Sequence, residues 1–271
     1  MPSRPPCRTP STALALLLVV ACGGEPVKLA EKAEKLEVTP PPKAPEVIHL
    51  AVDPATSKLG FDMEAPLEKI RGKVPPSALT GEVWVDPSDL SKSRGLVHLD
   101  LTGLELFQRK APEGGGEFGE EVKDDTQNQH AREWLEIGPD TPPEEMAKNV
   151  RIEFALSKLS DLSTTDLTKM TGPERKVTFT ATGDFLLHQR KAEKSVKLEA
   201  TFRYAGDTLT EIHVQSTEPL QIGLDEYDVR PRTGFGKLAA KTLEQLSPKV
   251  AKFAEVSLQF VARPAPAAAK P

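Results

Sequence analysis

Ser195-Val196-Lys197-Leu198-Glu199-Ala200-Thr201-Phe202-Arg203-Tyr204 sets Val196, Leu198, Ala200, Phe202 and Tyr204 against five polar or small neighbours without a break. Successive side chains of a strand point to opposite faces, so this stretch is a strand with one buried face and one wet face. The same period recurs along the chain: Ile48, Leu50 and Val52; Leu59, Phe61 and Met63; Val83 and Val85; Val150, Ile152, Phe154 and Leu156; Val177, Phe179 and Ala181; Val256, Leu258 and Phe260. One long strand is expected over 96–107, with Val97, Leu99 and Leu101 on one face and a bulge at Gly103. Further strands are expected over 184–188, 208–216 and 220–224. Strands in such close succession lack the intervening helices that parallel pairing requires, so the fold class is mainly β, an antiparallel sandwich or barrel.

Turns and helices fill the gaps. Asp53-Pro54-Ala55-Thr56 reads as a turn, and Arg190-Lys191-Ala192-Glu193-Lys194 as a solvated hairpin tip. A helix over 126–137 places Ala131, Trp134 and Leu135 on one side. A second, over 236–246, does the same with Leu238, Ala239, Leu243 and Leu246. Each is suited to capping an open barrel end.

The flanks differ in character. Residues 1–21 follow the order of a secretory signal, with Arg4 and Arg8 ahead of the apolar run 13–21, which is shorter than the ~20 residues a membrane span needs. Val19-Val20-Ala21-Cys22 resembles the lipobox of bacterial lipoproteins, which implies cleavage before Cys22 and lipid attachment at its thiol. Two or more acyl chains, at about 0.8 kcal/mol per buried CH₂, make a durable membrane anchor. Residues 22–46, with Pro40-Pro41-Pro42-Lys43-Ala44-Pro45, read as a flexible proline-rich tether, 47–263 as the folded domain and 264–271 as a disordered tail. The expected location is the bacterial cell envelope, facing the periplasm. With no acidic retention signal after Cys22, the outer membrane is preferred over the inner.

Composition excludes several function classes. Loss of Arg4 and Arg8 with the leader takes the formal charge from −5 to about −7. No basic stripe is present, so nucleic acid is not an expected partner. Cys7 and Cys22 are the two cysteines, and a mature chain keeping only Cys22 has no internal disulfide. His49, His98, His130, His188 and His213 are scattered, without the spacing of a metal site. The Gly114-Gly115-Gly116 run lacks the lysine and helix of a phosphate cradle. No catalytic signature and no cofactor motif appears, so the chain is not expected to be an enzyme.

Ordered blocks of the chain resemble the YceI-like, polyisoprenoid-binding family. They are Asp53-Pro54-Ala55-Thr56-Ser57-Lys58-Leu59-Gly60-Phe61, Gly81-Glu82-Val83-Trp84-Val85-Asp86-Pro87, and His130-Ala131-Arg132-Glu133-Trp134-Leu135-Glu136-Ile137 followed by Val150-Arg151-Ile152-Glu153-Phe154. Thr182-Gly183-Asp184-Phe185-Leu186-Leu187-His188 with the strand that follows it completes the set. The resemblance implies an extended lipocalin-like antiparallel β-barrel of about eight strands, with one or two short capping helices. It also implies an apolar interior that takes an isoprenoid or another long-chain lipid. The expected ligand-binding residues are Phe61, Met63, Leu99, Trp134, Leu135, Ile152, Phe154, Phe179, Phe185 and Phe202, with Trp134 and Leu135 standing at the family's Phe-Phe pair. Where the family has a histidine in the first turn and a glycine in the hairpin, this chain has Thr56 and Gln189. Besides lipid and, through Cys22, the membrane, a second copy of the chain is a candidate partner. A barrel filled by its own side chains and serving protein interaction is the alternative, and a dispersed catalytic site a third reading.

Overall fold

The computed structural model describes residues 27–41, 47–233, 236–237 and 250–265. The leader, Cys22, residues 42–46, most of the helix expected over 236–246 and residues 266–271 lie outside the described residues. In chain order the elements are β1 (Glu31–Lys32), β2 (Ile48–Val52), β3 (Lys58–Ala65), β4 (Glu68–Lys73), β5 (Leu79–Val85), β6 (Arg94–Asp100), β7 (Glu105–Lys110) and β8 (Val122–Lys123). Helices α1 (Asp125–Trp134) and α2 (Pro143–Asn149) come next. The remaining strands are β9 (Arg151–Ser160), β10 (Glu174–Leu187), β11 (Arg190–Ala205), β12 (Thr208–Ser216), β13 (Leu220–Gly223), β14 (Arg232–Thr233), β15 (Gly236–Lys237) and β16 (Phe253–Pro264).

Eight strands close on themselves in the order β2-β5-β6-β9-β10-β11-β12-β16 and back to β2, every pairing antiparallel. Strand β16 makes a second sheet possible because its two halves have different neighbours. Its end, Ala262–Pro264, pairs with β2, while Glu255–Gln259 pairs on that same edge with β3. Beyond the barrel the sheet therefore runs on as β13-β16-β3-β4-β7-β8. Helix α1 is fixed to β7 by Asn128, whose side chain accepts from Leu106 N–H at 2.8 Å and donates to Leu106 O at 2.9 Å.

The alternation decides which side chains enter the barrel, and the register brings them level. Val177, Ala181, Leu198, Ala200, Phe202, Ile212, Val214 and Phe260 are all buried, and Ala200 pairs across to Val177 on one side and Val214 on the other. The far end, opposite α1, is shut by Leu90 and Leu167. The backbone there is tied by Leu90 N–H to Thr165 O and Leu167 N–H to Pro87 O, each at 2.8 Å.

Four sequence expectations are corrected. The strand expected over 96–107 is two strands: Thr102 N–H donates to the Asp100 carboxylate at 2.7 Å, Leu104 N–H returns to Leu101 O, and the chain leaves β9 to pair with β4. Gly103 lies in that turn rather than in a bulge, and a Cβ there would come within 2.8 Å of the Pro75 ring. A bulge lies instead in β9, where Ser157 is the extra residue opposite Thr182 and Gly183, and β10 runs past it unbroken, so the strands expected on either side of Gly183 are one. Residues 190–194 are not a hairpin tip. They pair along β11, and the two-residue turn is His188-Gln189, with φ of 49° and 55°, the left-handed geometry that a tight hairpin needs.

The fourth correction concerns the tether. Over 27–41 the chain lies against the barrel wall. β1 pairs with the start of β11, and Leu36 is buried beside Ala155 and Leu186. Ala30 N–H donates to Glu226 O, and Ala33 N–H to Gln189 O. Charge and proline content suggested an extended stalk, but Ala33, Leu36 and Val38 supply enough apolar surface to dock it.

Candidate functional site

The inward faces leave space at the centre. A cavity of about 200 Å³ runs inside the barrel between β6, β9, β10, β11 and β16, and a second of about 110 Å³ lies beneath α1. Phe61, Leu101, Ile152, Phe185 and Val256 line both, so the two meet at these side chains. An engineered cavity of about 150 Å³ in another protein stays dry and holds benzene, so the larger space here is big enough for a slender apolar group.

All ten residues expected to face a ligand line one or both cavities. Leu99, Phe154, Phe179 and Phe202 line the inner one; Met63, Trp134 and Leu135 line the outer; Phe61, Ile152 and Phe185 line both. Strand period positions the first group. Met63 of the second group also follows strand period, whereas helical i, i+3, i+4 spacing positions Trp134 and Leu135, which with Ala131 roof the outer cavity. Half-buried Gln127 and exposed His130 sit at its edge on α1, facing Val250 and Ala251.

Phe61 owes its place to Gly72. A Cβ at position 72 would fall 2.0 Å from the Phe61 ring, so the tip of the ring occupies space on β4 that any larger residue would fill. Phe185 meets Tyr227 edge-on at 5.5 Å, and Tyr227 is completely buried with a hydroxyl that has no hydrogen-bond partner among the described residues. Burial, with the Glu226 charge adding to it, pushes that phenol well above its ordinary range.

Polar groups are scarce along the walls. Among the described residues, Ser93 and Ser216 are the two that bring a hydroxyl to the inner cavity, and Ser216 Oγ is engaged with Leu258 N–H at 3.1 Å. Glu153 also borders it, but its carboxylate is taken by Leu36 N–H and by His98 Nδ1 at 3.0 Å. Burial raises the Glu153 pKa, yet these hydrogen bonds and the charges of His98 and Arg151 outweigh it and hold the carboxyl below its usual range.

Roomier clefts lie outside, about 790 Å³ along α1 and about 610 Å³ beside His188, and both are lined largely by charged side chains such as Arg132, Glu133, Lys148 and Glu145. His188 there is held by both ring nitrogens, to Tyr227 O and to the Glu136 carboxylate. Among the described residues no group of three or more His, Cys, Asp or Glu side chains is placed to hold a metal ion. The interior therefore offers C–H surface and one open hydroxyl, an arrangement that can bury an apolar chain at roughly 25 cal/mol per Å².

Several solved structures are similar to this chain, the following two among them. Burkholderia cenocepacia BcnA matches with 14% identity and a TM-score of 0.45, over 78% of this chain and 98% of its own. A polyisoprenoid binding domain from Saccharophagus degradans, implicated in plant cell wall breakdown, matches with 18% identity and a TM-score of 0.45, over 80% of this chain and 99% of its own. No family model matches the sequence, and neither does any curated protein.

Sequence reasoning missed Ser93, which sits between charged neighbours Lys92 and Arg94 and carries no pattern of its own. It also missed α2 and β4. The β4 sequence Glu68-Lys69-Ile70-Arg71-Gly72-Lys73 buries Ile70 alone of its large side chains and so shows no apolar period.

Proposed function

We propose that the chain is a lipid-binding protein of YceI-like type that takes up one long-chain amphiphile, an isoprenoid or a chain of similar girth, and does no chemistry on it. The observation that carries this reading is the continuous apolar lining from Trp134 and Met63 beneath α1 to Val85 and Leu90 at the far end of the barrel. A tail entering there leaves water for hydrocarbon, while a charged head stays outside, because burying it unpaired costs several kcal/mol. The isoprenoid class rests on the motif resemblance of the sequence.

The leader and Cys22 support a setting for this activity: a protein lipidated at Cys22, held in the bacterial envelope and facing the periplasm. There it would carry or sequester its ligand close to the membrane. Intact-mass analysis of the mature chain tests the anchor, with a diacylated Cys22 as the expected N-terminus and an unmodified one as the contrary result.

Binding is tested by titrating the purified, delipidated chain with the fluorescent fatty acid cis-parinarate and following energy transfer from the two tryptophans, Trp84 and Trp134. Saturable uptake of one equivalent, reduced when Trp134 is replaced by Ala and read directly from parinarate emission, is expected. No saturable uptake would remove the reading in favour of a scaffold or interaction protein.

A further inference from the structure

Ser93 is 4% exposed and lines the inner cavity, and its Oγ has no hydrogen-bond partner among the described residues. Its backbone is satisfied: Ser93 N–H donates to Leu90 O at 3.0 Å, and Ser93 O accepts from Arg94 Nη1 at 2.8 Å. The hydroxyl alone is left over. A buried hydroxyl without a partner destabilises the fold, and alanine would fit the same space without that cost. Water is a poor solution here, because a buried water needs two to four polar partners. The other hydroxyl of this cavity, on Ser216, is already bonded to Leu258.

The position of Ser93 matters as much as its chemistry. It stands just before β6, beside Leu90 at the shut end, whereas Leu101, just after β6, borders the cavity beneath α1. At about 3.3 Å per residue, roughly 25 Å of chain separates the two. The lone hydroxyl is thus at the deep end of the space, remote from the α1 edge.

The geometry points to Ser93 as a selectivity residue that hydrogen-bonds a neutral oxygen on the buried end of the ligand, so that the occupant is a chain carrying a hydroxyl, carbonyl or ether at its deep terminus rather than a plain hydrocarbon tail. This rests on the lipid-binding reading above. The hydroxyl of Ser93 can donate to a carbonyl or ether oxygen, and can donate to or accept from a hydroxyl. A charged terminus is excluded, since a single serine does not compensate for burying an ion in hydrocarbon.

A matched pair of probes separates the cases. Hexadecanoate and 16-hydroxyhexadecanoate share a carboxylate that stays in water and differ only at the end that enters. Both are titrated calorimetrically into the delipidated full chain and into its Ser93→Ala and Ser93→Thr variants. Ser93→Ala is expected to weaken 16-hydroxyhexadecanoate roughly five- to tenfold relative to hexadecanoate, and to raise the melting temperature of the ligand-free protein. Ser93→Thr, which keeps the hydroxyl, is expected to keep the preference for the hydroxylated probe. Equal effects of Ser93→Ala on both probes, or none on either, would overturn the role of Ser93 while leaving lipid binding intact. Failure of the unmodified chain to bind either probe would instead overturn lipid binding itself, and this inference with it.

Discussion

The backbone N–H of Leu36 donates to the buried carboxylate of Glu153, joining the segment ahead of the barrel to strand β9 across 117 positions of sequence. The other carboxylate oxygen meets His98, and Glu153 is only 1% exposed, so this contact is a buried polar fixture of the docked segment beside the backbone bonds of Ala30 and Ala33. Replacing Glu153 by Ala leaves Leu36 N–H without its partner and is expected to cost about 2 kcal/mol in urea unfolding, as is usual for hydrogen bonds to a charged group. Amide exchange over 30–38 should accelerate more than exchange in β10 or β11.

The same contact sets an acid response. Glu153 has a lowered pKa in the folded chain, so its stabilisation is complete above the ordinary glutamate value of 4.5 and is lost as pH falls through the lower folded value. Exchange protection at Leu36 should therefore hold from neutrality down to about pH 5 and decline below it. In Glu153→Ala that acid-dependent decline should disappear.

Asn128 clamps α1 to β7 through both N–H and C=O of Leu106, and also donates to Asp124 O at 2.9 Å. Asn128→Ala strands two backbone groups that are otherwise paired. A loss of about 2–3 kcal/mol is expected. Because α1 roofs the outer cavity, the rate of parinarate release should rise in the same variant.

How much of this was legible in the sequence follows from the kind of signal each element emits. Where a strand buries one face, period 2 identifies it, and Val196 through Phe202 or Ile152 through Leu156 needed nothing else. The ten proposed contact residues line the cavities because the same period that marks a strand also marks its inward face. Strand β4 and the docked segment 27–41 emit weak signals, since their few apolar residues depend on partners distant in sequence. The turn after Asp100 was hidden because Leu101 and Leu104 continue the apolar run through it. Ser93 was illegible in principle: an unpaired hydroxyl is defined by what surrounds it.

Two glycines with the same apparent problem should behave differently when changed to alanine. At Gly183 the new Cβ would lie 2.2 Å from the backbone oxygen of Ala155, which cannot move without opening β9 from β10. Gly183→Ala is expected to lower stability by about 3 kcal/mol. At Gly72 the clash is with the tip of the Phe61 ring, which can swing away. Gly72→Ala should fold with a loss nearer 1 kcal/mol, yet bind parinarate more weakly, because Phe61 borders both cavities.

If the barrel interior is a binding space, filling it must expel the ligand. Ala181 is 2% exposed and lines the inner cavity. Ala181→Phe should occupy much of it while changing the unfolding free energy measured in urea by no more than about 1 kcal/mol, since the added ring enters existing room. The deciding measurement is lipid mass spectrometry on organic extracts of the full chain and of Ala181→Phe, purified identically from cells. One long-chain amphiphile near a one-to-one ratio in the unmodified protein, and none in a folded Ala181→Phe, is the predicted result. No bound amphiphile in either, or the same amount in both, would contradict it.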